Sequence, residues 1–245
     1  MGGLARRASI FQKWQQEHNA FLLAGAYELS QPQRQASPFS LTVFVPAFAQ
    51  LEYDLGVLSS TEANQLVHSN QGPDQQNVPS GWKQFSSQPQ TAVLNHQGMR
   101  LGIILFPEAE ALSADSSRKN AVFDHLGQTI LALDESCDLT IGLSPWGIDI
   151  EQDFLRSDAY APALLLGSGP GPAIMGKLGN NDRTLWLRPL SKGRAVQVVS
   201  LPNPQERSWK DQWEIGDNVH IEFLVLDDTI ATNKEMEDLL KKQTQ

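Results

Sequence analysis

The chain reads as an α/β fold with two packed mixed sheets and helices outside. Two patterns point there: early in the chain, segments with helical periodicity feed short apolar runs that read as buried strands, and late in the chain strands follow one another as hairpins. A third observation sets the scale. With 245 residues, 40% of them hydrophobic and 19% charged, there is enough apolar material for one domain of generous size spanning 1–245.

In order, Arg6 to His18 predicts a helix, with Ala8, Phe11 and Trp14 at helical spacing, and Phe21 to Ala24 a short strand. Gln31 to Ser40 is rich in Gln, Pro and Ser and reads as a loop. Leu41 to Phe48 is apolar, but Pro46 leaves helix and strand both open. Residues 70–90 are again dominated by Gln, Ser, Pro and Gly and read as a surface insertion. Thr91 to Leu94 and Arg100 to Phe106 then form a hairpin around a turn at Asn95 to Gly98. Ser117 to Ala132 predicts a helix, and Leu139 to Leu143 a strand too apolar to be exposed on either face. Asp149 to Leu155 reads as helical. Strands follow at Ala163 to Leu166, Thr184 to Pro189, Ala195 to Ser200 and Glu222 to Leu226, and residues 228–245 hold a charged helix, Lys234 to Lys241, and a tail. No fixed repeat is evident.

A formal net charge of −9 and a pI near 5.0 argue against nucleic acid as a partner, since Arg6 with Arg7 and Lys241 make only small basic spots. The lone Cys137 excludes a disulfide framework and reads as an inert core thiol. No run approaches the roughly 18 apolar residues of a membrane span, and the opening lacks the apolar centre of an export signal. The sequence therefore predicts no membrane span and leaves the compartment open.

Several strand-end strings resemble the metallophosphoesterase domain of the 5'-nucleotidase and UDP-sugar hydrolase family. Gly2-Gly3-Leu4-Ala5-Arg6-Arg7-Ala8 is similar to the family helix that follows its first metal-binding loop. Leu22-Leu23-Ala24-Gly25-Ala26 stands where the family has Ala-Gly-Asp, so Ala26 takes the place of a bridging carboxylate. Tyr53 to Glu62 aligns with the segment ending in Gly-Asn-His-Glu; Ser60 and Thr61 fall in that motif, of which only Glu62 survives. Leu143-Ser144-Pro145-Trp146-Gly147 resembles a Leu-Ser-His-x-Gly strand end with Pro145 for the histidine. Leu164 to Pro170 resembles the approach to Gly-His-x-His, with Ser168 and Pro170 for the two imidazoles. Thr184 to Val198 and Leu226 to Leu240 resemble the closing hairpin and the domain ending.

The resemblance implies a four-layer α/β/β/α sandwich lacking its first strand, with pocket positions at Ala26, Ser60, Thr61, Glu62, Ser144, Pro145, Trp146, Ser168 and Pro170. Family members use two divalent metals such as manganese or zinc to clamp a phosphate and activate water. Here no cofactor and no metal ligand is expected. The favoured expectation is a degenerate domain that binds a small-molecule ligand or a protein partner. A hydrolase of nucleotides or sugar nucleotides with unfamiliar ligands is the alternative. A third rests on similarity to a subgroup carrying Cys-Gly-Cys or Cys-Gly-selenocysteine before Gly-Gly-Leu, which would make the chain a fragment of an exported, redox-active protein. An export signal is implied there by resemblance alone.

Other patterns read more plainly. His18, His68, His96, His125 and His220 miss the family's ligand positions and are expected to be structural or solvated. Gly167 to Pro172 could cradle a phosphate, but lacks the Walker lysine, and a rigid strand-end loop explains it as well. Asp149, Glu151 and Asp153 read as a negatively charged first helical turn. Trp146, Trp186, Trp209 and Trp213 read as packing residues.

Overall fold

The computed structural model describes residues 2–28, 45–69, 81–112, 116–190, 193–204 and 206–242. The predicted loop at Gln31 to Ser40 and residues 70–80 of the expected insertion lie outside them. The chain divides into two compact units: Met1–Gln84 with Leu190–Val196 and Leu224–Gln245, and Phe85–Pro189 with Gln197–Phe223.

In the first unit, helix α1 (Gly2–His18) starts a turn earlier than periodicity suggested. Strand β1 (Leu23–Ala24) follows, and then a helix whose described residues are 45–50 (α2), which resolves the ambiguity around Pro46. Strand β2 (Leu55–Leu58), helix α3 (Ser60–Ser69) and strand β3 (Trp82–Gln84) come next. The sheet has the order β1-β2-β3 and both pairings are parallel. The expected insertion thus ends in a sheet strand: Gly56 leaves room for the Trp82 indole, which a Cβ there would strike. Composition hid this, because one tryptophan supplies burial that Gln and Ser cannot. Phe11, Phe48, Leu51, Tyr53, Leu58 and Leu66 form the core, joined by Met236 and Leu240 from the C-terminal helix.

The second unit holds a six-stranded mixed sheet. Its hairpin is β4 (Gln90–His96) and β5 (Met99–Leu105). Gln97 and Gly98 both have positive φ, at 50° and 78°, so the turn is tighter than the four residues expected. Helix α4 (Ser116–Asp134), strand β6 (Leu139–Ser144), helix α5 (Ile148–Arg156) and strand β7 (Leu164–Gly167) follow. Strand β8 (Ile174–Gly179), which the sequence reading passed over, precedes β9 (Thr184–Arg188). The sheet order is β4-β5-β6-β7-β9-β8, with parallel pairs between β5 and β9 and antiparallel edges at β4 and β8. Every residue of β6 is buried, as its apolar run predicted. Phe123, Leu126 and Ile130 of α4 and Phe154 of α5 pack with Ile104, Leu165 and Trp186 of the sheet.

Strands β10 (Ala195–Ser200) and β11 (His220–Val225) form a two-stranded sheet, and the division between units falls within both. The charged helix α6 (Lys234–Lys242) closes the described chain. Its Asn233 accepts at 2.9 Å from the Met236 N–H, a side-chain cap for the helix start. The fold class is the α/β arrangement the sequence predicts, sheets flanked by helices. Among the described residues no helix is long and apolar enough to cross a membrane.

Candidate functional site

In the first unit, Ser59 and Glu62 form a capping box at the start of α3. The Glu62 N–H donates to Ser59 Oγ at 3.2 Å, and the Glu62 carboxylate accepts from the Ser59 N–H at 3.0 Å and its hydroxyl at 2.9 Å. The same oxygen accepts the Tyr27 N–H at 2.9 Å, which ties the turn after β1 to α3. Tyr27 has a φ of 67°, a left-handed backbone that a bulky residue rarely adopts, so its captured N–H sits at a strained position. Ala26 before it is buried and offers only a methyl group. Ser60 is half-buried and accepts from Gln84 Nε2 at 3.3 Å, and Thr61 is exposed.

Arg7 was expected to be part of a small basic spot, and the structure corrects this. It is 4% exposed and donates from Nη1 to Tyr53 Oη at 2.7 Å and to Glu28 at 3.0 Å. Burial opposes its charge, but Glu28 and Tyr53 outweigh that and hold its pKa above the ordinary arginine value. Tyr53 is raised by burial, with Arg7 pulling it down and Glu28 pushing it up. Periodicity placed Arg7 on a helix but could not say which face meets a carboxylate.

In the second unit, Ser144 ends β6 and Ser168 follows β7. The Ser168 N–H and hydroxyl both donate to the Ser144 carbonyl, at 2.8 and 2.9 Å. Pro145 is buried, and the Trp146 indole N–H donates to the Pro107 carbonyl at 2.7 Å among Phe106, Phe123 and Phe154. The Pro170 carbonyl accepts the Ile148 N–H at 3.2 Å, joining this loop to the start of α5.

Beneath these loops lies a pair the sequence reading missed. Glu151, expected on a negatively charged first helical turn, is fully buried; it accepts from Arg188, itself 2% exposed, and from Trp186 Nε1 at 2.8 Å. Arg188 also donates to the carbonyls of Trp146 at 3.4 Å, Pro170 at 3.1 Å, Pro172 at 3.3 Å and Gly169. Burial pushes the Glu151 carboxyl up, while Arg188, Trp186 and Ser144 pull it down. Two signals were available: an arginine closing the apolar run Thr184 to Leu187, and Glu151 sharing a helix face with Phe154 and Leu155. Gly167 completes the arrangement, because a side chain there would collide with both Glu151 and Arg188. In the strand-end loop at Gly167 to Pro172, the carbonyls of Gly169, Pro170 and Pro172 turn toward Arg188.

Among the described residues no group of three or more His, Cys, Asp or Glu is placed to share a metal ion. His18 and His125 are exposed, as is His220, and His96 is half-buried; the His68 side chain lies outside what is described. Cys137 is buried, and so are Trp146, Trp186, Trp209 and Trp213.

Solved structures with this architecture bear on the whole chain. The 5'-nucleotidase precursor of Thermus thermophilus matches with a TM-score of 0.64 at 14% identity, over 99% of this chain and 52% of that one. The fold is shared with the part of that nucleotidase that the chain covers. The NAD nucleotidase of Haemophilus influenzae has the same fold at a TM-score of 0.56 and 9% identity, over 99% of this chain and 56% of its own. GAP50, described as the anchor in the inner membrane complex of Plasmodium, matches at 0.50 and 11% identity over 91% of this chain and 73% of its own. The chain spans about half the length of the two nucleotidases. No protein-family model and no curated protein matches the sequence. At these identities the nucleotidase fold is shared, and fold alone does not fix chemistry.

Proposed function

We propose that this chain is a phosphoesterase-fold domain that acts by binding a small-molecule ligand or a protein partner, without metal-dependent hydrolysis. The observation that carries this is the chemistry at the ligand positions implied by the resemblance. Ala26 offers a methyl group, and Pro145 a ring nitrogen whose lone pair is delocalised into its peptide bond and unavailable to a metal. Ser168 offers a hydroxyl already donating to Ser144, and Pro170 a carbonyl engaged by Arg188 and Ile148. Glu62 is the remaining family carboxylate, and it caps α3 through Ser59 while accepting the Tyr27 N–H.

A two-metal centre needs several carboxylates and imidazoles converging within a few ångströms. The residues at these positions do not fit one. A neighbour of the same fold described as an anchor supports the idea that this scaffold serves binding as well as catalysis.

Calorimetric titration with manganese and with zinc, paired with phosphate release from nucleotides and sugar nucleotides in the presence of manganese, tests the proposal. The expected result is no tight metal binding and no release. Manganese-dependent release that disappears in Glu62→Gln would overturn it.

A further inference from the structure

Four backbone carbonyls from two separate loops converge on one buried side chain, and convergent carbonyls create a site for positive charge. Such a cluster is costly to bury unless hydrogen-bond donors or a cation face it. The guanidinium of Arg188 meets the geometry: its planar fork can serve Gly169 and Pro170 from Nη2, Trp146 and Glu151 from Nη1, and Pro172 from Nε. Glu151 balances the charge, and Trp186 fixes that carboxylate in turn.

We propose that Arg188 is the resident cation of the second unit, a positioning residue that holds the loop from Pro145 to Ile148 and the loop from Gly167 to Pro172 in one shape without a bound metal. This rests on the binding-domain reading in one respect: these loops contain Pro145, Ser168 and Pro170, the places where the resemblance puts metal-binding histidines. An organic cation tethered to β9 then supplies the cohesion that an exchangeable ion would otherwise give. The shape of both loops becomes independent of metal supply, and any ligand that meets them meets a preformed surface.

Hydrogen exchange of the intact chain, read loop by loop, tests this. In the wild-type protein the Ile148 and Ser168 amides, which donate to Pro170 and Ser144, exchange slowly, and manganese or a chelator leaves them unchanged. In Arg188→Lys, which keeps the charge but loses the fork, exchange over 145–148 and 167–172 rises by about tenfold or more while the β4–β5 hairpin is unaffected. In Arg188→Ala, guanidinium ion at concentrations far below denaturing restores protection saturably, and manganese does not.

Loop exchange in Arg188→Lys equal to wild type, or raised uniformly through the unit, overturns the proposal. So does metal-dependent protection in the wild-type chain. Should Arg188→Ala fail to fold, the wild-type and Arg188→Lys measurements still decide. Manganese-dependent hydrolysis with metal-independent loops would sink the binding-domain reading and leave this one standing.

Discussion

Glu62 in the first unit and Glu151 in the second are both fully buried carboxylates near strand ends, and they are satisfied in opposite ways. Among the described residues Glu62 takes hydrogen bonds from two neutral groups, Ser59, three residues away, and the Tyr27 amide. Glu151 meets a buried guanidinium 37 residues along the chain and an indole N–H 35 residues along. Glu62 thus draws its Ser59 bonds from the start of its own helix and its Tyr27 bond from the turn after β1. A carboxylate paired with a distant cation exists only because strand and helix have already come together, and each charge makes the other tolerable in a medium of low dielectric constant.

The sharpest way to break that comparison is Glu151→Ala. It strands the Arg188 charge in the core and is expected to cost about 3–5 kcal/mol, measured by urea denaturation. Glu62→Ala leaves neutral N–H groups unpaired and is expected to cost less, about 2 kcal/mol. If the two losses come out equal in the same assay, the contrast between cap and ion pair is wrong. Ser59→Ala removes the other half of the capping box and should cost about 1 kcal/mol, with the loss seen as fraying of α3 in amide exchange.

The smallest effect concerns Tyr160, whose hydroxyl donates to Asp134 at 2.9 Å. Burial, then the Asp134 bond and charge, raise it above its ordinary 10.0. The native state therefore keeps a proton that the unfolded chain loses first. This contribution is complete below about pH 10 and vanishes as pH rises through the higher native value. Tyr160→Phe should flatten the alkaline loss of stability by under about 1 kcal/mol, since the group is partly solvated. Urea midpoints across alkaline pH measure it, and an unchanged slope would show that the Asp134 bond does not stabilise the native state.

Strings read from the sequence divide along the same line as the two carboxylates. The hairpin at Gln97 and Gly98, the buried strand β6 and the helices α1 and α4 were legible because periodicity and turn chemistry are local. The Ser59-x-x-Glu62 pattern was also legible as a capping signature, although resemblance drew attention to Glu62 as a pocket position instead. Strands β3 and β8 escaped detection. β3 is short and sits beside low-complexity sequence, and the burial pattern of β8 carries no apolar run, with Met175 at 60% exposure.

By itself the sequence determined the α/β class, most element positions, and the identity of the groups standing where the resemblance expects metal ligands. Which charges would be buried was decided by tertiary structure alone. Arg7 read as part of a small basic spot and Glu151 as part of a negatively charged first helical turn, yet each found its partner across the fold. Charge and periodicity are properties of neighbours in the chain, whereas burial depends on what the rest of the chain brings alongside. For Glu151 that is Arg188, seated where Gly167 and the inward carbonyls of Gly169 and Pro170 leave room for a cation.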